Sequence, residues 1–134
     1  NKIMENIRVK YICKNQIKKG KRGTREMLAY LKKNFSVALM IDQRVTEGIK
    51  CDFFGKPAFT TTIPAQIVKK FGCEIVPVYI ERIENINFNL TIENPIKFEK
   101  NETVEEVTLK LNKVLEKMIL NNPSQWILTH NRWK

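Results

Sequence analysis

Val37-Ala38-Leu39-Met40-Ile41 is an apolar run that ends abruptly in Asp42-Gln43-Arg44, and the fold turns on how it is read. A short continuous apolar stretch bounded by polar residues fits a buried strand. Open α/β sheets build their sites at the carboxyl ends of such strands. The run therefore predicts a buried strand over 37–41 that presents Asp42 and Gln43 at its end. A loop over 42–58 follows, in which Glu47-Gly48 and Phe53-Phe54-Gly55-Lys56-Pro57-Ala58 set two aromatics against glycine and proline, before Thr60.

Working outward, Ile3, Ile7 and Tyr11 stand at helical spacing, which predicts a helix over 2–12 with Lys2, Arg8 and Lys10 on its surface. Lys14 to Gly23 reads as a basic loop holding Lys18, Lys19, Lys21 and Arg22. Thr24 reads as the N-cap of a short helix with Met27, Leu28 and Leu31 as its stripe, stopped at Asn34. Downstream, the threonines at 60–62 can cap a helix that carries Pro64 in its first turn and ends near Gly72. Ile75 to Ile80 reads as a second buried strand, made irregular by Pro77, which cannot donate to a ladder. Phe88, Leu90 and Ile92 alternate with polar residues as a half-exposed strand does. Thr103 and Glu106 make a capping-box pattern ahead of Val104, Val107, Leu111, Val114, Leu115 and Met118, and Asn121-Asn122-Pro123 ends that helix. The order helix, strand, helix, strand, strand, helix is α/β, with a mixed sheet flanked by helices. Met27 and Phe59 are assigned to the core.

A chain of 134 residues suits one domain, and its 43% hydrophobic content is ordinary. The net charge of +10 is not, and it implies an anionic partner: nucleic acid, phospholipid headgroups, a phosphorylated glycolipid or an acidic protein. Aromatics do not interleave with the basic residues as a base-stacking platform requires, so nucleic acid is not expected. Cys13, Cys51 and Cys73 are odd in number and lack paired spacing, which argues against a disulfide framework and a zinc site. With one histidine, the ligand inventory for a metal centre is poor. No apolar run approaches the roughly 20 residues of a membrane-spanning helix.

The Asp42-Gln43-Arg44 run with Phe53-Phe54-Gly55-Lys56-Pro57-Ala58 and Thr60 resembles the lipid A late acyltransferases, the lauroyl and myristoyl transferases of Gram-negative envelope synthesis. The tail Pro123-Ser124-Gln125-Trp126 with His130-Asn131-Arg132-Trp133-Lys134 resembles the same family's C-terminal signature. The family's catalytic element is a histidine followed five residues later by Asp or Glu, and no such pair occurs here. The resemblance therefore implies the C-terminal portion of a single acyltransferase domain over 1–134, with the catalytic pair and a membrane anchor upstream. It implies transfer of a fatty acyl chain from acyl carrier protein to a hydroxyl of a lipid A precursor, at the cytoplasmic face of the inner membrane. No metal or organic cofactor is expected, and a fragment without the base is expected to be inactive alone. The rivals are a transferase acting on another glycolipid or phospholipid, and a non-catalytic basic module for anionic membrane or nucleic acid.

Asp42 is the leading catalytic candidate. Its plainer reading is a strand-end carboxylate capping a loop. In the family pattern an acid there orients the histidine or holds a phosphate-binding arginine. Arg8 matches a family arginine that points into the site, and its planar fork suits phosphate; a solvated helix residue is the plainer alternative. Lys19, Lys21 and Arg22, with Gln43, Thr60 and Arg82, are expected around the substrate. The basic cluster suits acidic lipid or the acidic carrier protein, although each member alone reads as solvated. Phe53 and Phe54 either pack the core or wall an acyl groove. Trp126 and Trp133 are expected to pack the C-terminal segment onto the domain, and His130 to be structural.

Overall fold

The computed structural model describes residues 2–18, 20–127 and 131–133, and the chain divides into two compact units, Asn1–Ala38 and Leu39–Lys134. Lys19 and His130, both singled out above, lie outside the described residues. The chain is α/β, with four helices and two antiparallel strand pairs among the described residues. Among the described residues no helix is long and apolar enough to cross a membrane.

The first unit holds α1 (Lys2–Tyr11) and α2 (Lys21–Lys32). Helix α1 forms where its spacing predicts, and none of its residues is buried. Helix α2 starts earlier than expected: its N-cap is Gly20 rather than Thr24, so Lys21 and Arg22 stand in the first helical turn and not in a loop. Thr24 is already helical, its N–H bonding the Gly20 carbonyl at 3.0 Å. Gly23 explains the tight start, because a Cβ there would fall 2.9 Å from the Lys18 carbonyl carbon. Only glycine lets the incoming chain lie so close to the helix. Asn34 stops α2 as expected, at φ 61. Phe35 and Asn34 donate their N–H groups to the carbonyls of Tyr30 and Leu31, at 3.1 and 3.0 Å. That pair of bonds is a Schellman motif, completed by the Tyr30–Phe35 edge contact at 5.4 Å.

The Val37–Ile41 run is not a strand. Leu39 and Met40 are exposed, while Ile41 packs against the core cluster of Ala65, Val107 and Leu111. A strand needs a neighbour to take its backbone bonds, and no described strand lies beside this one. Apolar content alone could not reveal that. The 42–58 loop is also corrected: it contains a hairpin, β1 (Ile49–Phe53) and β2 (Lys56–Thr60). Its two turn residues, Phe54 (φ 52) and Gly55 (φ 73), both take left-handed backbone, as a type I′ turn requires. Phenylalanine is unusual there, which is why the signal was missed. Its N–H donates to Glu116 Oε1 at 2.7 Å, and its ring meets Phe53 edge-on at 4.9 Å.

Helix α3 (Ile63–Phe71) follows with Pro64 in its first turn and ends at Gly72, φ 63. Strands β3 (Val78–Glu84) and β4 (Asn87–Ile92) make the second hairpin. The expected strand over 75–80 is thus shifted: it starts after Pro77, and Ile75 makes an isolated bridge to Ile96. Nor is it buried, since the cross-strand pairs Val78–Ile92 and Ile80–Leu90 are exposed. Gln125, in the 3₁₀ turn Pro123–Gln125, holds this hairpin by accepting from the Arg82 N–H at 2.9 Å and donating to its carbonyl at 2.7 Å.

Helix α4 (Val104–Asn121) carries the expected capping box, with Glu106 N–H donating to Thr103 Oγ1 at 3.1 Å and Thr103 N–H to Glu106 Oε2 at 2.6 Å. It is the spine of the second unit, burying Val107 and Leu111 against Ala65 of α3 and Ile119 against Phe53 and Ala58 of the first hairpin. The exposed Lys113–Asp52 ion pair also spans α4 and β1, at 2.5 Å. Such pairs contribute about 0–1 kcal/mol, whereas deleting a buried phenylalanine costs about 3–5 kcal/mol. Phe53 therefore holds the hairpin to the helix. Phe59 is not in this core: it is half-buried on the opposite face of β2, with the Lys50 ammonium 5.6 Å and the Arg44 guanidinium 6.0 Å from its ring.

Candidate active site

Asp42 sits half-buried at the start of a loop that folds back on the end of β2. The Val45 N–H donates to the Phe59 carbonyl at 3.4 Å, and the Gly48 N–H to the Val45 carbonyl at 3.1 Å. Gly48 lies so near the end of β2 that a Cβ would fall 2.6 Å from the Thr60 carbonyl carbon. The loop therefore owes its placement to backbone bonds and one glycine, not to a strand.

Thr60 is the hub beneath it. Its side chain is buried on the core face of β2, and its hydroxyl donates to the Ala58 carbonyl at 3.2 Å. The same oxygen accepts from Asn112 Nδ2 of α4 at 3.3 Å and from Arg132 Nη2 at 2.9 Å. Asn112, with no exposed surface, also donates to the Asp52 carbonyl at 2.8 Å, and its Oδ1 has no partner among the described residues. Thr60 is thus saturated by the protein, which suits organising a site better than touching a substrate.

Arg132 is the residue sequence reasoning missed. It is 2% exposed, donates Nη1 to the Phe59 carbonyl and lays its guanidinium 5.0 Å from the centre of the Phe53 ring. Burial pulls it below the ordinary arginine value, while the charges of Asp42 and Cys51 act the other way. An arginine nonetheless stays cationic at neutral pH. Burial also pushes the Cys51 thiol up, so it is no ready nucleophile. The tail carries the family signature, but nothing in its composition marks Arg132 as the residue that turns inward.

Thr60 and Phe53 therefore meet at Arg132, and Asp42 acts on it through charge. Phe53 is wholly buried and packs on Trp126 and Trp133 at 5.7 and 5.9 Å, as core; Phe54 remains half-buried at the turn. Trp133 Nε1 donates to the Phe53 carbonyl at 2.9 Å, tying the C-terminal segment to the hairpin as expected. Gln43 is exposed next to Asp42. Arg82 lies apart: it donates to the Asn85 carbonyl and stacks 4.5 Å from the Phe88 ring. Arg8, Lys21 and Arg22 are exposed in the first unit. Chemically, the site offers a half-buried carboxylate on a loop bonded to β2 and, bonded to the same strand, a buried cation that feels its charge. The described residues include no histidine to serve as that base.

Residues 5–134 match the family model described as bacterial lipid A biosynthesis acyltransferase. The match spans the Asp42 loop, the first hairpin and Arg132 alike. No curated protein matches the chain.

Proposed function

We propose, because this chain belongs to the bacterial lipid A biosynthesis acyltransferase family, that the complete protein transfers a fatty acyl chain from acyl carrier protein to a hydroxyl of a phosphorylated lipid A precursor. The observation that carries this reading is the family match over nearly all of the chain, which includes the half-buried Asp42 and the enclosed Arg132. In the reaction the acceptor hydroxyl attacks the thioester carbonyl, a C–O bond forms and the C–S bond breaks. A general base takes the hydroxyl proton, which ends on the departing thiolate. Residues 1–134 hold no histidine followed by an acid at the family spacing. We assign the base to a histidine elsewhere in the complete protein, and this chain alone is then inactive. Asp42 orients that imidazole or holds a phosphate-binding arginine, and Arg8 is a separate candidate for a phosphate contact. Gln43 and Phe54 border the acceptor, and no cofactor takes part.

Charge distribution supports an acidic lipid surface as the place of reaction, at the cytoplasmic face of the inner membrane. Residues 1–38 hold eleven Lys and Arg against two acidic residues, leaving thirteen against twelve in the rest. The net charge thus sits almost wholly in the first unit, where Lys19, Lys21 and Arg22 belong to the cluster that would meet lipid phosphates or the acidic carrier protein. The test is to incubate the full-length protein with acyl carrier protein thioester and lipid A precursor, and to follow the acceptor by mass. Gain of one acyl chain is expected. A lysophospholipid acylated in preference to the lipid A precursor would move the substrate to another class.

A further inference from the structure

We infer that Arg132 is a positioning residue for this transfer: from the C-terminal segment it locks the end of β2 and, through the Phe59 carbonyl, the loop carrying Asp42 and Gln43. The inference rests on the reading of Asp42 given above.

Its two terminal nitrogens reach consecutive residues, Nη1 the Phe59 carbonyl and Nη2 the Thr60 hydroxyl. The Phe59 carbonyl also accepts the Val45 N–H, so guanidinium and loop share one acceptor. Gly48 presses on Thr60 from the loop side, and Phe53 flanks the guanidinium. Stability alone does not account for an arginine here. Its Nε is buried and meets no partner among the described residues, and an unmet buried donor is costly. An apolar side chain of similar volume often packs such a site as well or better. What an apolar residue cannot do is fix the direction of two acceptors at once. Lysine cannot do it either, because it lacks the planar fork.

The experiment compares Arg132→Lys and Asp42→Asn in the full-length protein, reading acyl-transfer kinetics and amide exchange together. Loss of one charge-assisted bond corresponds to about a tenfold change or more. Arg132→Lys is expected to lower kcat by about that factor with the acceptor KM within about twofold. Protection of the Val45 and Gly48 amides should fall while that of the α4 amides stays. Should Arg132→Lys fail to fold, Thr60→Val removes the Nη2 acceptor at nearly constant shape and should give the same pattern in weaker form. Unchanged kcat and unchanged Val45 protection, with Asp42→Asn impaired, would overturn the inference alone. Equal loss of protection in α4 and in the loop would reduce Arg132 to a packing role and overturn it too. Full activity of Asp42→Asn would instead sink the reading of the site, and the positioning role with it.

Discussion

A methyl group on Gly48 would lie 2.6 Å from the Thr60 carbonyl carbon and 3.0 Å from its nitrogen, so the obstacle is backbone on both counts. Backbone in a hairpin cannot step aside as a flexible side chain can. Overpacking of this kind costs about 1–3 kcal/mol. Gly48→Ala is therefore expected to lower the free energy of unfolding by about that amount, measured by denaturant titration. A variant as stable as the parent would mean that the loop does not press on Thr60. The same contact explains how a carboxylate stays placed without a strand behind it. Asp42 depends on a glycine, a shared carbonyl and Arg132, three small supports spread across the sequence.

Among the elements, α4 carries the most testable electrostatics. Glu106 is held below the usual carboxylate value, first by the Thr103 backbone N–H and then by its hydroxyl. A carboxyl with a depressed value in the folded state adds stability above the unfolded value and loses it as pH falls through the folded one. Acidification below the ordinary 4.5 should thus weaken the α4 cap. Glu106→Gln keeps the capping geometry but cannot titrate, so its melting temperature should fall less between pH 6 and pH 3 than the parent's. Identical acid limbs would remove Glu106 from the pH response. This helix was readable in the sequence because its cap and its stripe are local signals. The first hairpin was not: Phe54 occupies a left-handed turn position that asparagine or glycine normally announces. The 37–41 run misled for a related reason, since apolar content reports burial but not whether a neighbouring strand exists. Around the candidate site, Asp42 and Thr60 stand out in the motif, whereas Arg132 is hidden because long-range pairing across 72 residues leaves no spacing to read.

Over the whole molecule, charge is separated along the chain more sharply than the total of +10 suggests, because its first 38 residues hold only two acidic side chains. Each basic residue near an acidic lipid surface contributes about 1 kcal/mol, and that attraction fades beyond roughly 8 Å at physiological salt. Reversing Lys19, Lys21 and Arg22 to Glu should accordingly weaken binding to vesicles rich in acidic lipid, and the difference should shrink as salt rises. Equal binding at low salt would return these residues to a merely solvated role. Family membership supplies the reaction class, and the loop bonded to the Phe59 carbonyl supplies the proposed place for Asp42 within it. The most direct measurement is the turnover of Asp42→Asn in the full-length protein, with acyl carrier protein thioester as donor and lipid A precursor as acceptor. The account predicts a fall of at least about tenfold, the scale of one lost catalytic contact, with an unchanged denaturation midpoint. Turnover close to that of the parent would contradict it.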